Sequence, residues 1–304
     1  MMKPDIELLA NRLAEAFGRA RVKRNEILAK HCNWRVGGPA DLFFRANTAE
    51  ELVLAARLAK EHGRPVTVLG FGANVLVSDK GIRGLVILNR AQRTAFGPDA
   101  VVQADSGTNL AVLAKQAAQE GVAGLEFLIG IPGTVGAAVA VNAGTRTEWI
   151  SGIVRRARIL TSEGAVRWLA PHELDFAYRN SRLKRTGEIV ICAEFQGKPD
   201  SPERIEQRMA EHLRVRQNQP TGPSTGSVFK NPDGDFAGRL IEACGLKGLR
   251  IGGAQIAEMH ANFILNTGGA QARDMKALIE RAKTEVRRKF GVELEEEVRY
   301  LGEW

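Results

Sequence analysis

The sequence predicts a mixed α and β protein of two or three compact units, and three observations carry that expectation. At 304 residues the chain exceeds the usual size of one hydrophobic core. Segments whose apolar residues recur at helical spacing alternate with short apolar runs bounded by turn formers, and no internal repeat or low-complexity tract interrupts them. With 44% hydrophobic and 26% charged residues the composition is that of an ordinary globular protein.

Taken in order, Ile6, Leu9, Leu13 and Phe17 predict an amphipathic first helix. This N-terminal stretch has acids among its apolar residues and no small-residue cleavage site, so it reads as a folded helix rather than a leader. Thr48 and Glu51 form a capping-box pair that starts a second helix, and Gly63 offers its left-handed stop. Val66 to Leu69 reads as a buried strand, with further apolar runs at Val75 to Val77 and Leu85 to Leu88. Leu110, Leu113 and Ala117 mark a helix ending near Gly121. Strand signals dominate from Ile153 to Phe195, most clearly at Val166 to Leu169 and Ile189 to Phe195. The segment GKPDSPE (Gly197 to Glu203) has linker composition, which divides the chain into regions 1–199 and 200–304. Beyond it, Ile205, Met209, Leu213 and Arg216 follow one helical stripe, and Ala272, Met275, Ile279, Ala282, Val286 and Phe290 another. A final strand is expected over Val292 to Leu301.

A net charge of +8 points to anionic partners, among which nucleic acids, phosphates, dinucleotides and UDP-sugars all qualify. Basic residues are scattered apart from short clusters such as Arg155-Arg156 and Arg287-Arg288-Lys289, which argues against a nucleic-acid arm. No apolar run approaches the length of a membrane span. Cys32, Cys192 and Cys244 fit no C-x-x-C spacing and read as structural thiols of a reducing cytoplasm. The histidines show no ligand spacing, so no metal is assigned.

Five segments have the composition of sites. LGFGANVLVSD (Leu69 to Asp79) ends a strand in Gly70-x-Gly72, which leaves backbone N–H groups open to a pyrophosphate; a tight turn between strands satisfies the same pattern, and the third glycine of a Rossmann fingerprint is missing. GIPGTVGAAVAVNAG (Gly130 to Gly144) crowds small residues around Pro132, suiting a flat ligand at the backbone or, equally, close helix packing. PTGPSTGSVFKNP (Pro220 to Pro232) gathers Ser227, Phe229, Lys230 and Asn231 in a turn-rich loop. In FAYRNSR, Tyr178 and Arg179 suit a carboxylate or phosphate, the arginine through its bidentate fork. In LEEEVRYLGE a strand would put Glu297 and Arg299 on one side, although spacing alone does not choose among Glu295, Glu296 and Glu297.

Together with NWRVGGPAD (Asn33 to Asp41) and GLEFLIGIPGTVG, these segments resemble, in order and from about Asn33 onward, the UDP-N-acetylenolpyruvoylglucosamine reductases, and Gly245 to Asn266 is similar to the shorter form of that family. The resemblance implies an α+β architecture: a bipartite FAD-binding fold of the vanillyl-alcohol oxidase and p-cresol methylhydroxylase type, split near residue 64, plus a smaller C-terminal α+β substrate domain. It implies NADPH-dependent reduction of UDP-N-acetylglucosamine enolpyruvate through FAD in peptidoglycan precursor synthesis, in the cytoplasm, on small molecules alone, without nucleic acid, membrane or an obligate protein partner.

Carried over by residue, the resemblance gives Arg179 and Glu297 the stabilisation of the intermediate and Ser227 the proton donation. It puts FAD against Leu69, Gly70, Phe71, Gly72, Ala73, Asn74, Val75 and Leu76, and against Gly130, Ile131, Pro132, Gly133, Thr134, Gly136, Ala137 and Ala138, with Arg35, Arg214 and Arg299 as neighbours. Tyr178, Lys230, Asn231 and Gln255 would face the UDP-sugar. Ala73 stands where serine is common in the family, Ala137 where glycine is usual, and TRTEW after Gly144 also departs from it. Neither glycine-rich segment contains a cysteine or histidine, so FAD is expected to be non-covalent. Two other classes fit parts of the sequence: a flavin oxidase of the same fold, and an anion-binding protein without catalysis, which leaves the paired glycine segments unexplained.

Overall fold

The structure, a computed structural model, describes residues 4–214, 216–217 and 219–304. Its helices are α1 (Pro4–Phe17), α2 (Ala49–Glu61), α3 (Leu110–Gln119), α4 (Val135–Val141), α5 (Leu183–Thr186), α6 (Pro202–Arg214), α7 (Ala237–Ala243) and α8 (Ala272–Phe290). The strands are β1 (Val22–Ile27), β2 (Pro39–Ala46), β3 (Val66–Leu69), β4 (Val75–Val77), β5 (Ile82–Asn89), β6 (Thr94–Phe96), β7 (Val101–Asp105), β8 (Val122–Ala123), β9 (Val154–Leu160), β10 (Val166–Leu169), β11 (Ile189–Gln196), β12 (Lys198–Pro199), β13 (Arg250–Ile251), β14 (Ala254–Ile256), β15 (Ile264–Asn266) and β16 (Arg299–Leu301).

The chain forms two compact units, each assembled from three segments: 1–23, 43–70 and 84–217 in unit one, and 24–42, 71–83 and 218–304 in unit two. This division differs from the linear boundary expected at 199/200. The reason is α6, whose Ile205 and Met209 join the core of unit one with Leu113, Phe127 and Leu128 instead of beginning a new domain. The expected linker is likewise partly ordered, because Lys198 and Pro199 pair with Ala123 and Val122.

Unit one holds a five-stranded antiparallel sheet in the order β10-β9-β11-β7-β6. Its inward face and the apolar faces of α3, α4 and α6 enclose a core that includes Phe127 and Phe195, each at most 1% exposed. In unit one β3 also pairs in parallel with β5. Local signals set the helix starts. Thr48 accepts from the Glu51 N–H at 3.2 Å and Asn109 from the Val112 N–H at 3.0 Å, contributions of about 1 kcal/mol each.

Unit two packs Trp34, Phe229, Leu240, Met275, Leu278 and Ile279 into a second core under the hairpin strands β13-β14-β15. The Trp34 indole is fully buried and donates to the Ile264 carbonyl at 2.7 Å, so its polar atom is satisfied. Asp79, the last residue of the first glycine-rich motif, accepts from the Ala272 and Arg273 N–H groups at 2.8 and 3.0 Å and thus caps α8. The strand expected over Val292 to Leu301 is regular only at its end, where β16 pairs in parallel with β4. The residues before it bond instead to the serine-containing loop.

Candidate active site

In unit one the two glycine-rich motifs meet. A side chain on Gly70 would come within 2.6 Å of the Thr134 hydroxyl, so only glycine permits the approach. Arg90 donates to the Gly70 carbonyl at 2.8 Å and fixes the peptide that ends β3. Pro132 and Gly133 lead into α4, and Gly133 has φ +144° with no atom within 4 Å of the place a Cβ would occupy. Thr108 offers a buried hydroxyl without a protein partner. In unit two, within the first glycine motif, the Asn74 side-chain carbonyl is likewise buried and unpartnered. Orphaned polar atoms of this kind carry a desolvation cost unless a ligand satisfies them. In unit one the open glycine backbone and the unmatched Thr108 hydroxyl, and in unit two the unmatched Asn74 oxygen, are each of the kind that a dinucleotide such as FAD satisfies.

The second motif also leads directly to Arg179. Ala177 and Asn180 exchange N–H···O bonds of 3.0 and 3.1 Å, closing a tight turn with Tyr178 and Arg179 at its tip. Arg179 has φ +52°, a left-handed conformation that costs a non-glycine residue about 1–2 kcal/mol. The surroundings hold it there. Its Nη1 donates to the Gly144 carbonyl at 3.1 Å, and the guanidinium lies 5.2 Å from the Trp149 ring centre. Trp149 meets Tyr178 edge to face at 5.5 Å. TRTEW, where the sequence departs from the family pattern, therefore supplies the aromatic wall beside Arg179.

Arg216 was not among the predicted site residues. Its side chain lies over Gly130, where a Cβ would fall 2.9 Å from its Nε. Burial, and then the charge of Arg179, pushes the Arg216 guanidinium below its ordinary value, while leaving it a cation. Arg214, the residue expected near the cofactor, ends α6 with its side chain exposed. The helical stripe of Ile205, Met209 and Leu213 includes Arg216 and not Arg214, but nothing local in the sequence indicates that Arg216 will lie over Gly130.

Unit two gathers the remaining predicted residues along one extended segment. Glu297 N–H donates to the Val228 carbonyl and Lys230 N–H to the Glu295 carbonyl, both at 2.8 Å, so the loop after Ser227 runs antiparallel to Glu295–Glu297. The Asn74 amide donates to the Glu297 carbonyl and the Arg299 N–H to the Asn74 carbonyl, each at 3.1 Å. This register brings Ser227, Glu297 and the far half of the first glycine motif together. In the same segment Glu295 pairs with Lys230 and Glu296 with Lys283, and Glu297 follows the residue that bridges to Phe229.

Several predicted residues also have structural partners. Asn231 accepts from the Ala237 N–H at 3.2 Å, and buried Gln255 donates to the Gly248 carbonyl and accepts from Arg250, both at 3.2 Å. Arg35 is exposed, at φ +54° in a turn closed by its N–H on the Cys32 carbonyl. That turn packs on Gly72, whose carbonyl accepts from the Asn33 N–H at 3.0 Å. Cys32 is therefore close to the glycine motif, yet it is buried and burial pushes its thiol up to about 12, which removes the nucleophile a covalent flavin link needs.

A cavity of about 490 Å³ in unit one lies elsewhere, among Arg57, Lys60, Arg64, Thr161 and Ser162, and contains none of the predicted residues. Arg57 is spent on the Gly164 carbonyl, and Lys60 and Arg64 sit at the C-terminal end of α2, where the helix dipole favours cations. Among the described residues no group of three or more histidine, cysteine, aspartate or glutamate side chains is placed to hold a metal, and no helix is long and apolar enough to cross a membrane.

Known proteins divide this chain along the same motifs. Residues 40–170 match an FAD-binding domain family, and residues 217–301 match the family described as UDP-N-acetylenolpyruvoylglucosamine reductase, C-terminal domain. The UDP-N-acetylenolpyruvoylglucosamine reductase of Moorella thermoacetica is 43% identical over 98% of this chain and 99% of its own length. Reductase 2 of Symbiobacterium thermophilum is 44% identical over 93% and 92%. The crystal structure of the Thermus caldophilus enzyme superposes with a TM-score of 0.80 at 39% identity, covering 92% of this chain and 99% of that one. A Phl p 4 variant described as a glucose oxidase, 13% identical with a TM-score of 0.50, shares the fold over 64% of this chain and 44% of its own. Full-length similarity of this degree, on a fold whose motifs converge as described, places the chain in the UDP-N-acetylenolpyruvoylglucosamine reductase family.

Proposed function

We propose that the chain reduces UDP-N-acetylglucosamine enolpyruvate to UDP-N-acetylmuramate with electrons from NADPH, through FAD, in peptidoglycan precursor synthesis, and that Arg179, Ser227 and Glu297 carry the chemistry on the substrate. The observation that weighs most is the strained, caged geometry of Arg179, bonded to the Gly144 carbonyl that ends the second glycine-rich motif, since strain of this kind persists where a side chain's position matters more than its comfort. FAD, when bound, takes a hydride from NADPH and gives it to the terminal vinyl carbon of the enolpyruvyl group. The substrate's negative charge then spreads from the α-carbon into its carboxylate as an enolate. Arg179, permanently protonated and fixed in advance, stabilises that charge without reorganising. Ser227 delivers the proton to the α-carbon, which completes the saturated ether and balances the hydride. Glu297 assists the same charge, either protonated or by orienting a neighbouring cation.

In this reading FAD rests, non-covalently, on Leu69–Leu76 and on the loop from Gly130 to Ala138, with Arg35, Arg214, Arg216 and Arg299 as flanking cations. Tyr178, Lys230, Asn231 and Gln255 contact the UDP-sugar. Both substrates are soluble small molecules of the cytoplasm, where we place the reaction. Absorption spectroscopy tests the whole proposal. The purified protein should be yellow, bleach with NADPH in the absence of oxygen, and recover its colour on adding the enolpyruvyl substrate. Recovery with oxygen alone and not with that substrate would replace the reductase by an oxidase.

A further inference from the structure

We infer that Asn142 is a positioning residue for Arg179, an inference that rests on the reading of Arg179 as the cation that stabilises the substrate's charge. Asn142 caps the C-terminus of α4 in the left-handed region, with φ 46° and ψ 60°, and its side chain is buried. Its amide reaches in two directions. Nδ2 donates to the Ala177 carbonyl at 3.0 Å, on the residue that opens the turn carrying Arg179. Oδ1 accepts from the Ser151 N–H at 3.0 Å, two residues after the Trp149 ring that lies beside the guanidinium. Gly144, two residues further along the same segment, supplies the carbonyl that Arg179 Nη1 binds.

One amide thus ties together the turn that presents Arg179 and the segment that provides both of the guanidinium's neighbours. Ser181, fully buried, closes the far side of the turn by donating to the Ala140 carbonyl at 2.7 Å. A left-handed cap by itself calls only for glycine or asparagine. The two side-chain bonds are what glycine would not supply, and both lead to Arg179's surroundings. Both polar atoms of the buried Asn142 side chain are engaged in these two bonds.

The test compares the two half-reactions by rapid mixing in four variants: Asn142→Gly, Asn142→Asp, Arg179→Ala and the Arg179→Ala/Asn142→Gly double variant. Asn142→Gly keeps the left-handed cap and removes both bonds; Asn142→Asp keeps the volume and the acceptor for Ser151 but loses the donor to Ala177. Both should slow reoxidation of the reduced protein by the enolpyruvyl substrate about 10- to 100-fold, the scale of an ångström-sized misplacement. Reduction by NADPH and FAD content should stay within threefold of the unmodified protein. In an Arg179→Ala background, Asn142→Gly should have no further effect on reoxidation, because it acts through the side chain already removed.

Asn142→Gly and Asn142→Asp both reoxidising within threefold of the unmodified protein would overturn the inference, as would equal losses in both half-reactions, additive losses in the double variant, or loss of FAD from both single variants. An Arg179→Ala protein with unimpaired reoxidation would instead sink the underlying assignment of Arg179, whatever Asn142 does.

Discussion

Arg179 in unit one and the Ser227–Glu297 pair in unit two are held by different means. Arg179 sits at the tip of a strained turn whose place depends on side chains: the Asn142 amide, the Ser181 hydroxyl and the Trp149 ring. Ser227 and Glu297 stand on a main-chain ladder running through Val228, Lys230 and Glu295, with Asn74 closing its end. The difference has an energetic meaning. Main-chain pairing survives replacement of the side chains along it, so the hydroxyl and carboxylate can be changed with little cost in stability. A side-chain cage lacks that tolerance, and its parts are coupled.

The largest effect that tests this contrast is predicted for Ser227→Ala. It should slow substrate-driven reoxidation about 10²–10⁴-fold, the usual contribution of a general acid, while FAD content and melting temperature stay unchanged. Ser227→Cys should restore part of the rate. Reoxidation within threefold of the unmodified protein eliminates Ser227 as the donor. Arg179→Ala comes next, with a loss of about 10²–10³-fold in the same half-reaction, as for removal of one charge-stabilising donor. Unlike Ser227→Ala, it should also alter near-ultraviolet circular dichroism, because the Trp149 ring, which meets Tyr178 edge to face, loses the cation beside it. Unchanged aromatic signals would weaken the idea of a cage.

A smaller effect is expected where the glycine motifs cross. Gly70→Val forces a side chain into the Thr134 hydroxyl and should destabilise the protein by about 1–3 kcal/mol, with FAD retention falling in parallel when measured by dialysis. Full retention at normal stability would show that the motifs can separate. The smallest effect is a pH dependence in unit two. Burial lowers the His260 pKa from its ordinary value near 6.5, and its Nδ1 accepts from the Asn262 N–H at 3.2 Å, a bond that requires the neutral ring. Because the unfolded chain takes up that proton more readily, the stabilisation is complete above the unfolded value and is lost as pH falls below it. Urea midpoints at pH 7.5 and 5.5 should differ less for His260→Asn than for the unmodified protein; equal differences would exclude the histidine as a contributor.

Much of the local structure was legible because local physics determines it. The Thr48 cap and the apolar stripes of α1, α3 and α8 need no tertiary partner to be recognised, and the strand at β3 was legible too, although only its Leu69 is buried. The motifs were legible as compositions too, but their convergence was not. Nothing in the residues around Gly70 indicates that Thr134 will cover them, and neither Thr108 nor Arg90 carries a signal in its own neighbourhood. Arg216 drew no reading as a site residue because an arginine at the end of an apolar stripe marks only the edge of a helix face, and the Gly130 it lies over is remote in sequence. The division into units escaped for a related reason. A linker signature is local, whereas each unit draws segments from three separate stretches of the chain.

The pairing of β4 with β16 has a consequence for how the protein is made. Val75–Val77 find their parallel partner at Arg299–Leu301, and the Ser78 N–H bonds to the Leu301 carbonyl at 2.9 Å. About 220 residues separate the two strands in sequence. At ordinary synthesis rates β4 waits roughly 10–45 s for its neighbour. During that interval its edge is unpaired and the far half of the first glycine motif has no Glu297 or Arg299 to bind. Unit two is therefore the last part of the nascent chain to close, and nascent chains arrested before Arg299 should be the ones that draw chaperones and proteases.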